Sequence, residues 1–582
     1  MASGSSSPRY HTEHSSASAT SLLLGPGGAN GSRTSVQTSF SEKYSLAPSP
    51  VSWGTPLLMN VSEPDDFLHN PDPNRDRKND KGGTILTWRG IGNLGCLFVL
   101  VAGMVTLFAG FPLITHFTQK VQSTQGGFNL GGINATGQVA SLPGNWGLID
   151  QATPTDALKK NSYQYPDEEW VLVFSDEFET EGRTFFPGDD PYWEAVDLHY
   201  WGTNDLEWYD PGSATTVNGS LEIKLSKVDP VDNHNLSYRS AMLQTWNKFC
   251  FTGGIIEASV MLPGSNSVIG LWPAIWTMGN LGRAGFGATL EGMWPYTYDA
   301  CDVGTLPNQT YPGTATPIAA TENGDPAANG VLSYLPGQRL SACTCPGESH
   351  PGPVRSNGSY VGRAAPEIDI FEAIIDGGGR VSMSSQWAPF NAAYEWQNTT
   401  ANLKIYDPEK TVLNAYIGGA SQQTTSGLSL TNQDCYEQNG RCYSIYGFEY
   451  LPGFDNAYIT WINDNTPAWT IMAAGLGPDS ATEISARPVP QEPMYIIANL
   501  GFSLNFGGID FDDLILPATM RVDYIRVYQH PDRVNVGCDP PDFPTAAYVE
   551  TYLGAYTNPN VTTWKQFGQS WPKNSKAAGG CT

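Results

Sequence analysis

Residues 94–114, LGCLFVLVAGMVTLFAGFPLI, run for 21 positions without a formal charge, and at 1.5 Å per residue that length crosses a bilayer core of about 30 Å. A buried helix of a soluble core fits less well, because such helices seldom run so far without a polar face. A cleaved signal peptide fits less well still, since the run begins far from the N-terminus. The run therefore predicts a transmembrane anchor, placed at residues 91–117 with its flanks. Upstream, the first 50 residues hold 14 serines, and no apolar period appears before Arg89, so residues 1–90 read as a disordered tail. Arg75, Arg77, Lys78, Lys81 and Arg89 precede the span, against Lys120 alone just after it. By the positive-inside bias the tail is cytoplasmic, which makes this a single-pass type II membrane protein of the secretory pathway, in the endoplasmic reticulum, Golgi or plasma membrane.

Charge and cysteine usage agree with that division. The chain carries 31 Lys and Arg against 57 Asp and Glu, a balance of −26. Residues 1–90 are neutral, so the whole excess lies beyond the span. Such an acidic region excludes nucleic acid as the main partner and suits a neutral, hydroxyl-rich ligand. Cys96 lies in the span; the other eight cysteines (Cys250, Cys301, Cys343, Cys345, Cys435, Cys442, Cys538 and Cys581) follow it. An even set on the lumenal side reads as disulfides rather than metal ligands, and Cys435 with Cys442 is the expected local pair. Seven sequons, at Asn134, Asn218, Asn235, Asn308, Asn357, Asn398 and Asn560, also lie beyond the span, consistent with a glycoprotein.

After a stem over residues 118–165, short β-rich runs alternate with turn signals. In GSLEIKLSKV (219–228), Leu221, Ile223 and Leu225 share one face, while Glu222, Lys224 and Ser226 share the other, as a sheet with one buried face requires. Similar runs occur at 170–178, 253–262, 457–464, 494–502 and 520–529, with no repeat period and no alternation with helices. The 62 glycines and 43 prolines supply the turns. This predicts an all-β chain: one β-sandwich or jelly roll over residues 166–530 with long disulfide-bearing loops, followed by a Cys-containing extension over 531–582.

Within this β-rich region APEIDIFEA (365–373) sets Glu367, Asp369 and Glu372 among Ile368, Ile370 and Phe371. On a regular strand Glu367 and Asp369 share a face, but Glu372 points to the other side, into the core. A β-bulge near Ile370 and Phe371 restores the phase and lines all three carboxyls along one face. Three adjacent acids repel one another, so they call for hydrogen bonding, a metal or a catalytic use. Retaining glycoside hydrolysis is such a use, with one ionised carboxylate as nucleophile and one protonated carboxyl as acid and later base. A calcium-binding or merely solvated acidic strand is the alternative.

The aromatic content favours the sugar reading. Trp272 and Trp276 lie in GLWPAIWTMGN (270–280), Trp208 and Tyr209 in YWGTNDLEWYD (200–210), and Trp294 in WPYTY. Aromatic faces beside Asn, Asp and Gly suit a glycan groove, because sugars present C–H surfaces for stacking and hydroxyls for hydrogen bonding.

The E-x-D-x-x-E strand, GLWPAIWTMGN, LVFSDEF and MRVDYIRVYQ resemble glycoside hydrolase family 16, a β-jelly-roll family that includes laminarinases and cell-wall transglycosylases. DLHYWGTNDLEWYD (197–210), RSAMLQTWNKFCFTGGIIE (239–257), WPYTYDACD (294–302) and SYLPGQRLSACTC (333–345) narrow the resemblance to the fungal β-glucan synthesis-associated proteins, needed for β-1,6-glucan in the cell wall. The resemblance implies Glu367 as nucleophile, Asp369 as its helper and Glu372 as acid/base. One departure stands out: many laminarinase-type members carry a His on the following strand, where VSMSSQWAPF (381–390) instead offers Gln386 and Trp387 as expected substrate-binding residues, so β-1,3-glucan hydrolysis is not inherited directly. The resemblance also carries a structural calcium touching Asp523, against the plainer reading of an exposed acid on a terminal strand. No organic cofactor is implied. The expected function is a membrane-anchored β-glucan glycosidase or transglycosylase, and the alternative is a non-catalytic glucan-binding scaffold or assembly factor.

Overall fold

The computed structural model describes residues 73, 74, 77, 88–111, 113 and 147–582. The rest of the 1–90 tail, and the stem as far as residue 146, lie outside the described residues. Helix α1, Trp88–Val105, continues as a π-helical turn over Thr106–Gly110. Its stretch Ile91–Gly110, 20 residues of mean hydropathy 2.2, is long and apolar enough to cross a membrane. Leu97, Phe98, Val99 and Phe108 are all exposed. Thr106 donates its hydroxyl to the Ala102 carbonyl at 2.7 Å, which satisfies that polar group without a partner outside the helix.

The region from residue 147 onward is described by itself. Twelve strands form its framework: β1 (Glu169–Asp176), β2 (Ser220–Lys227), β3 (Gly254–Met261), β4 (Trp272–Gly279), β5 (Glu367–Ile375), β6 (Gly379–Trp387), β7 (Gln422–Leu430), β8 (Ser444–Leu451), β9 (Tyr458–Asn463), β10 (Thr466–Met472), β11 (Met494–Gly501) and β12 (Ala518–Gln529). One sheet runs β7-β6-β5-β4-β11 and the other β10-β9-β8-β3-β12-β2, with β1 also on β12 and short strands at the edges. All these pairings are antiparallel. The two sheets pack face to face as the expected all-β jelly-roll sandwich.

Alternation decides which side of each strand enters the core. Leu221, Ile223 and Leu225 on β2 are fully buried, and Lys224 between them is exposed. Glu222 faces away from the core yet is buried, because Arg521 of β12 pairs with it. From the inner sheet Ile368, Ile370 and Phe371 meet Phe448, Trp461 and Trp469 of the opposite sheet in one core. Trp461 and Trp469 stack at 4.2 Å. Gly427 of β7 admits Trp469: a Cβ there would lie 2.4 Å from the indole ring.

The eight cysteines beyond the span form four disulfides: Cys250–Cys538, Cys301–Cys343, Cys345–Cys581 and the expected Cys435–Cys442. Two of them tie the C-terminal extension to the sandwich. Because a cross-link limits the unfolded chain more when it closes a longer loop, removing Cys250–Cys538, which spans 288 residues, is expected to cost more than removing Cys435–Cys442, which spans seven. Chain entropy alone gives about 6 against about 2 kcal/mol. Denaturant unfolding of the paired Cys→Ser variants checks the order.

Candidate active site

The strand β5 carries the site, and a bulge shapes it. Against β4, Ile275 pairs with Phe371 and Trp276 with Asp369, which leaves Ile370 unpaired; against β6, the register slips between Asp369 and Glu372. The extra residue is where the spacing of the acids demands it. Ile368, Ile370 and Phe371 all reach the core, while Glu367, Asp369 and Glu372 share the outer face. A bulge interrupts the ladder, so its carbonyls need other donors. Trp461 supplies one from the opposite sheet, donating Nε1 to the Asp369 carbonyl at 2.7 Å. Thr277 and Ser385 donate to the carbonyls of Ile368 and Glu367 at 2.9 and 2.7 Å.

Each carboxyl has a different set of donors. Trp294 Nε1 donates to Glu367 Oε2 at 2.5 Å, and Trp272 Nε1 donates to Glu372 Oε1 at 3.0 Å. Asp369 Oδ2 accepts from Ser384 Oγ at 2.7 Å and Gln386 Nε2 at 3.1 Å, and Thr424 Oγ1 holds the Gln386 carbonyl oxygen at 2.6 Å. Glu367 and Asp369 also act on each other, in the sense that favours the proton on Glu367.

Burial and crowding raise all three carboxyls, and they titrate as a set. Glu367 is held well above the usual range by burial, then by the charges of Asp369 and Glu372. Glu372 rises to about 8 through burial and the charge of Asp369, against the opposing Trp272 bond. Asp369 rises only to about 6, because the bonds from Ser384, Gln386 and Glu367 offset part of its burial. The outer glutamates thus hold protons more tightly than the aspartate between them.

The aromatic candidates divide. Trp272 and Trp276 share the outer face of β4 and are half-buried; Trp272 stacks on Phe506 at 4.2 Å. Trp276 donates Nε1 to Asn499 Oδ1 at 2.8 Å. Trp294 reaches the site from the loop after β4. Trp208 is half-buried; its ring is stacked on His234 at 3.6 Å and its Nε1 donates to Asp197 Oδ1 at 2.7 Å, not to one of the three carboxyls. Two expectations are corrected. Trp387, next to Gln386, alternates to the opposite face and is fully buried in the core, with Nε1 on Thr425. Tyr209 is 2% exposed; its hydroxyl accepts from Asn499 and donates to Asp205, both at 3.1 Å. Neither ring is available to stack on a sugar; Tyr209 instead stands behind Asn499, which holds Trp276. Asn499, Ser384, Thr424 and Phe506 were missed from the sequence. Alternation with Gln386 marks Ser384, and Asn499 is the lone carboxamide of MYIIANLGF.

Asp523 is half-buried on β12, and among the described residues no group of three or more His, Cys, Asp or Glu side chains is placed to hold a metal ion. No step below uses the expected calcium.

Residues 55–581 match the family described as β-glucan synthesis-associated protein SKN1/KRE6/Sbg1. The chain belongs to this family. It is 42% identical over 532 residues to the β-glucan synthesis-associated protein SKN1 of Candida albicans, covering 89% of this chain and 67% of that one. It is 41% identical over 537 residues to KRE6 of Saccharomyces cerevisiae, covering 90% and 70%. Among solved structures it is similar to an endo-β-1,3-glucanase from Pyrococcus furiosus, at 18% identity and TM-score 0.36, covering 65% of this chain and 98% of the other. It is also similar to a laminarinase catalytic domain from Thermotoga petrophila RKU-1, at 20% identity and TM-score 0.37, covering 62% and 99%.

Proposed function

We propose that this protein is a membrane-anchored retaining glycosidase or transglycosylase that remodels β-glucan, with Glu367 as nucleophile, Glu372 as acid/base and Asp369 as their helper. One observation carries the reading: the bulge at Ile370 sets three carboxyls on one face, and each outer one receives an indole N–H. A merely solvated acidic strand has no use for such donors.

The chemistry follows from the donors. Burial and the charges of Asp369 and Glu372 favour the protonated form of Glu367 and the Trp294 bond opposes them, so attack on the anomeric carbon requires Glu367 first to give up its proton to Asp369. The bond from that carbon to the glycosidic oxygen breaks, and its electron pair stays on the oxygen, which takes the proton from Glu372. Glu372, protonated at neutral pH by its raised pKa of about 8, is suited to give it. In the second step an acceptor hydroxyl loses its proton to Glu372 and its oxygen displaces Glu367 from the same carbon. Water as acceptor makes this a glycosidase, and a sugar hydroxyl makes it a transglycosylase. Trp272 and Trp276 flank the acids as sugar platforms, and Gln386 presents an amide where laminarinase-type relatives carry a His.

The test is product analysis with purified full-length protein and defined β-1,3- and β-1,6-glucan oligosaccharides. Shortened or lengthened chains with retained anomeric configuration are expected; binding without any product would leave the scaffold reading.

The same proposal places a cytoplasmic tail at 1–90, an anchor at 91–117, a stem at 118–165, the sandwich at 166–530 and the extension at 531–582, with all after the anchor lumenal or extracellular. The six sequon asparagines within the described residues, Asn218, Asn235, Asn308, Asn357, Asn398 and Asn560, are exposed. Glycosidase-sensitive mass shifts on those peptides are expected; glycan on Asn30 or Asn60 with none downstream would reverse the topology.

A further inference from the structure

We infer that residues 561–571 of the C-terminal extension are positioning residues of this site: they grip the turn 287–292 so that Trp294 keeps its indole N–H on Glu367. This rests on the proposed role of Glu367. Trp294 lies in no strand of either sheet, so no β-ladder fixes the donor. What fixes it is the turn before it. Ala288 donates its N–H to the Val561 carbonyl at 3.1 Å, and Trp564 donates its N–H to Glu291 Oε2 at 2.6 Å. A Cβ on Gly292 would lie 2.3 Å from the Trp571 ring, and one on Gly287 would lie 3.0 Å from the Thr562 backbone. The extension therefore touches the turn at both ends, tightly at Gly287 and at Gly292 with no room for a side chain.

Arg339 couples the two. Its guanidinium lies 4.0 Å over the Trp564 ring and donates to the carbonyls of Ala288 and Thr289 at 2.9 and 3.3 Å. Its backbone N–H donates to the Gly292 carbonyl at 2.7 Å. From there the path to the site is short. Trp294 donates its N–H to Leu290 at 3.0 Å, the Met293 carbonyl accepts from Ala365 at 3.0 Å, and the indole meets Glu367. The disulfides Cys250–Cys538 and Cys345–Cys581 hold the extension on either side of the gripping segment.

The experiment uses full-length protein in detergent micelles, labelled with fluorotryptophan, with the Trp294 resonance identified by its loss in Trp294→Phe. In the wild type this resonance is expected to titrate above the usual carboxylate range, where burial and its neighbours hold Glu367, and the titration to vanish in Glu367→Gln. Trp571→Ala is expected to move the resonance and abolish its titration, and Trp571→Phe, which keeps an aromatic ring but not the outer edge that meets Gly292, to give an intermediate shift. On a glucan substrate, Trp571→Ala should move the acid limb of the rate profile upward by about one pH unit, because a lost hydrogen bond no longer favours the Glu367 anion. A purely structural role would lower the rate without moving that limb. If Trp571→Ala does not fold, the double variant Cys345→Ala, Cys581→Ala releases the end of the segment and is read in the same way. An unchanged Trp294 resonance and titration in the folded variant overturns the positioning role whatever the turnover. Absent turnover with the fluorine pattern intact overturns the proposed function and leaves the positioning role standing.

Discussion

Glu367→Gln is expected to leave the fold intact and lower glucan turnover by at least about 10³-fold, since the amide keeps the volume and the Trp294 contact but has no anionic oxygen to attack the anomeric carbon. Glu372→Gln is expected to lose about 10²- to 10⁴-fold, the usual contribution of a positioned general acid. Asp369→Asn should fall by only about 10- to 100-fold, because Asp369 acts on its neighbours' protons and makes no bond to the substrate. Complementation of a strain lacking its own family member reads the consequence in wall glucan, with expression of each variant confirmed. A binding scaffold predicts the reverse order: amides still hydrogen-bond sugar hydroxyls, so all three acid variants would support normal glucan, while Trp272→Ala and Trp276→Ala would fail. Full rescue by both Glu→Gln variants would sink the enzymatic reading.

What the sequence made legible was local in register. The five-residue step from Glu367 to Glu372 conflicts with a period of two, and only an inserted residue reconciles it with apolar neighbours that must stay buried; the structure has that insertion at Ile370. Cys435 and Cys442 could be paired because so few residues separate them. The same period of two, applied to Gln386 and Trp387, sends the tryptophan into the core, and the expectation of a sugar platform there neglected it. Other features depended on pairings that no local pattern encodes. Asn499 meets Trp276 across 223 positions of sequence, and Trp461 reaches Asp369 across 92. Trp294 illustrates both limits: its place in an aromatic loop marked it, but the acid it serves, and the C-terminal segment that steadies its loop, became evident only with the chain folded.

The acids that perform the proposed chemistry also oppose folding as pH rises, and Glu372→Gln should expose that. A carboxyl whose folded pKa lies above its unfolded value binds its proton more tightly in the native state. Its contribution is complete below the unfolded pKa, near 4.5 for a glutamate, and is lost as pH rises through the folded value of about 8. For Asp369 the same loss occupies the window from 3.8 to about 6. At about pH 9 the wild type therefore holds ionised, crowded carboxylates in a partly dry site, at a cost of several kcal/mol. Glu372→Gln carries no charge at any pH, and it also removes one of the neighbours that repel Glu367. Thermal unfolding should show the variant more stable than wild type by about 3 to 5 °C near pH 9 and nearly equal to it near pH 4, where the glutamate is already neutral. The same displacement at both pH values would mean that the gain comes from packing and not from charge. The gain at high pH and the loss of turnover would then share a cause, because the proton that Glu372 must release to the leaving oxygen is the one that its buried position retains.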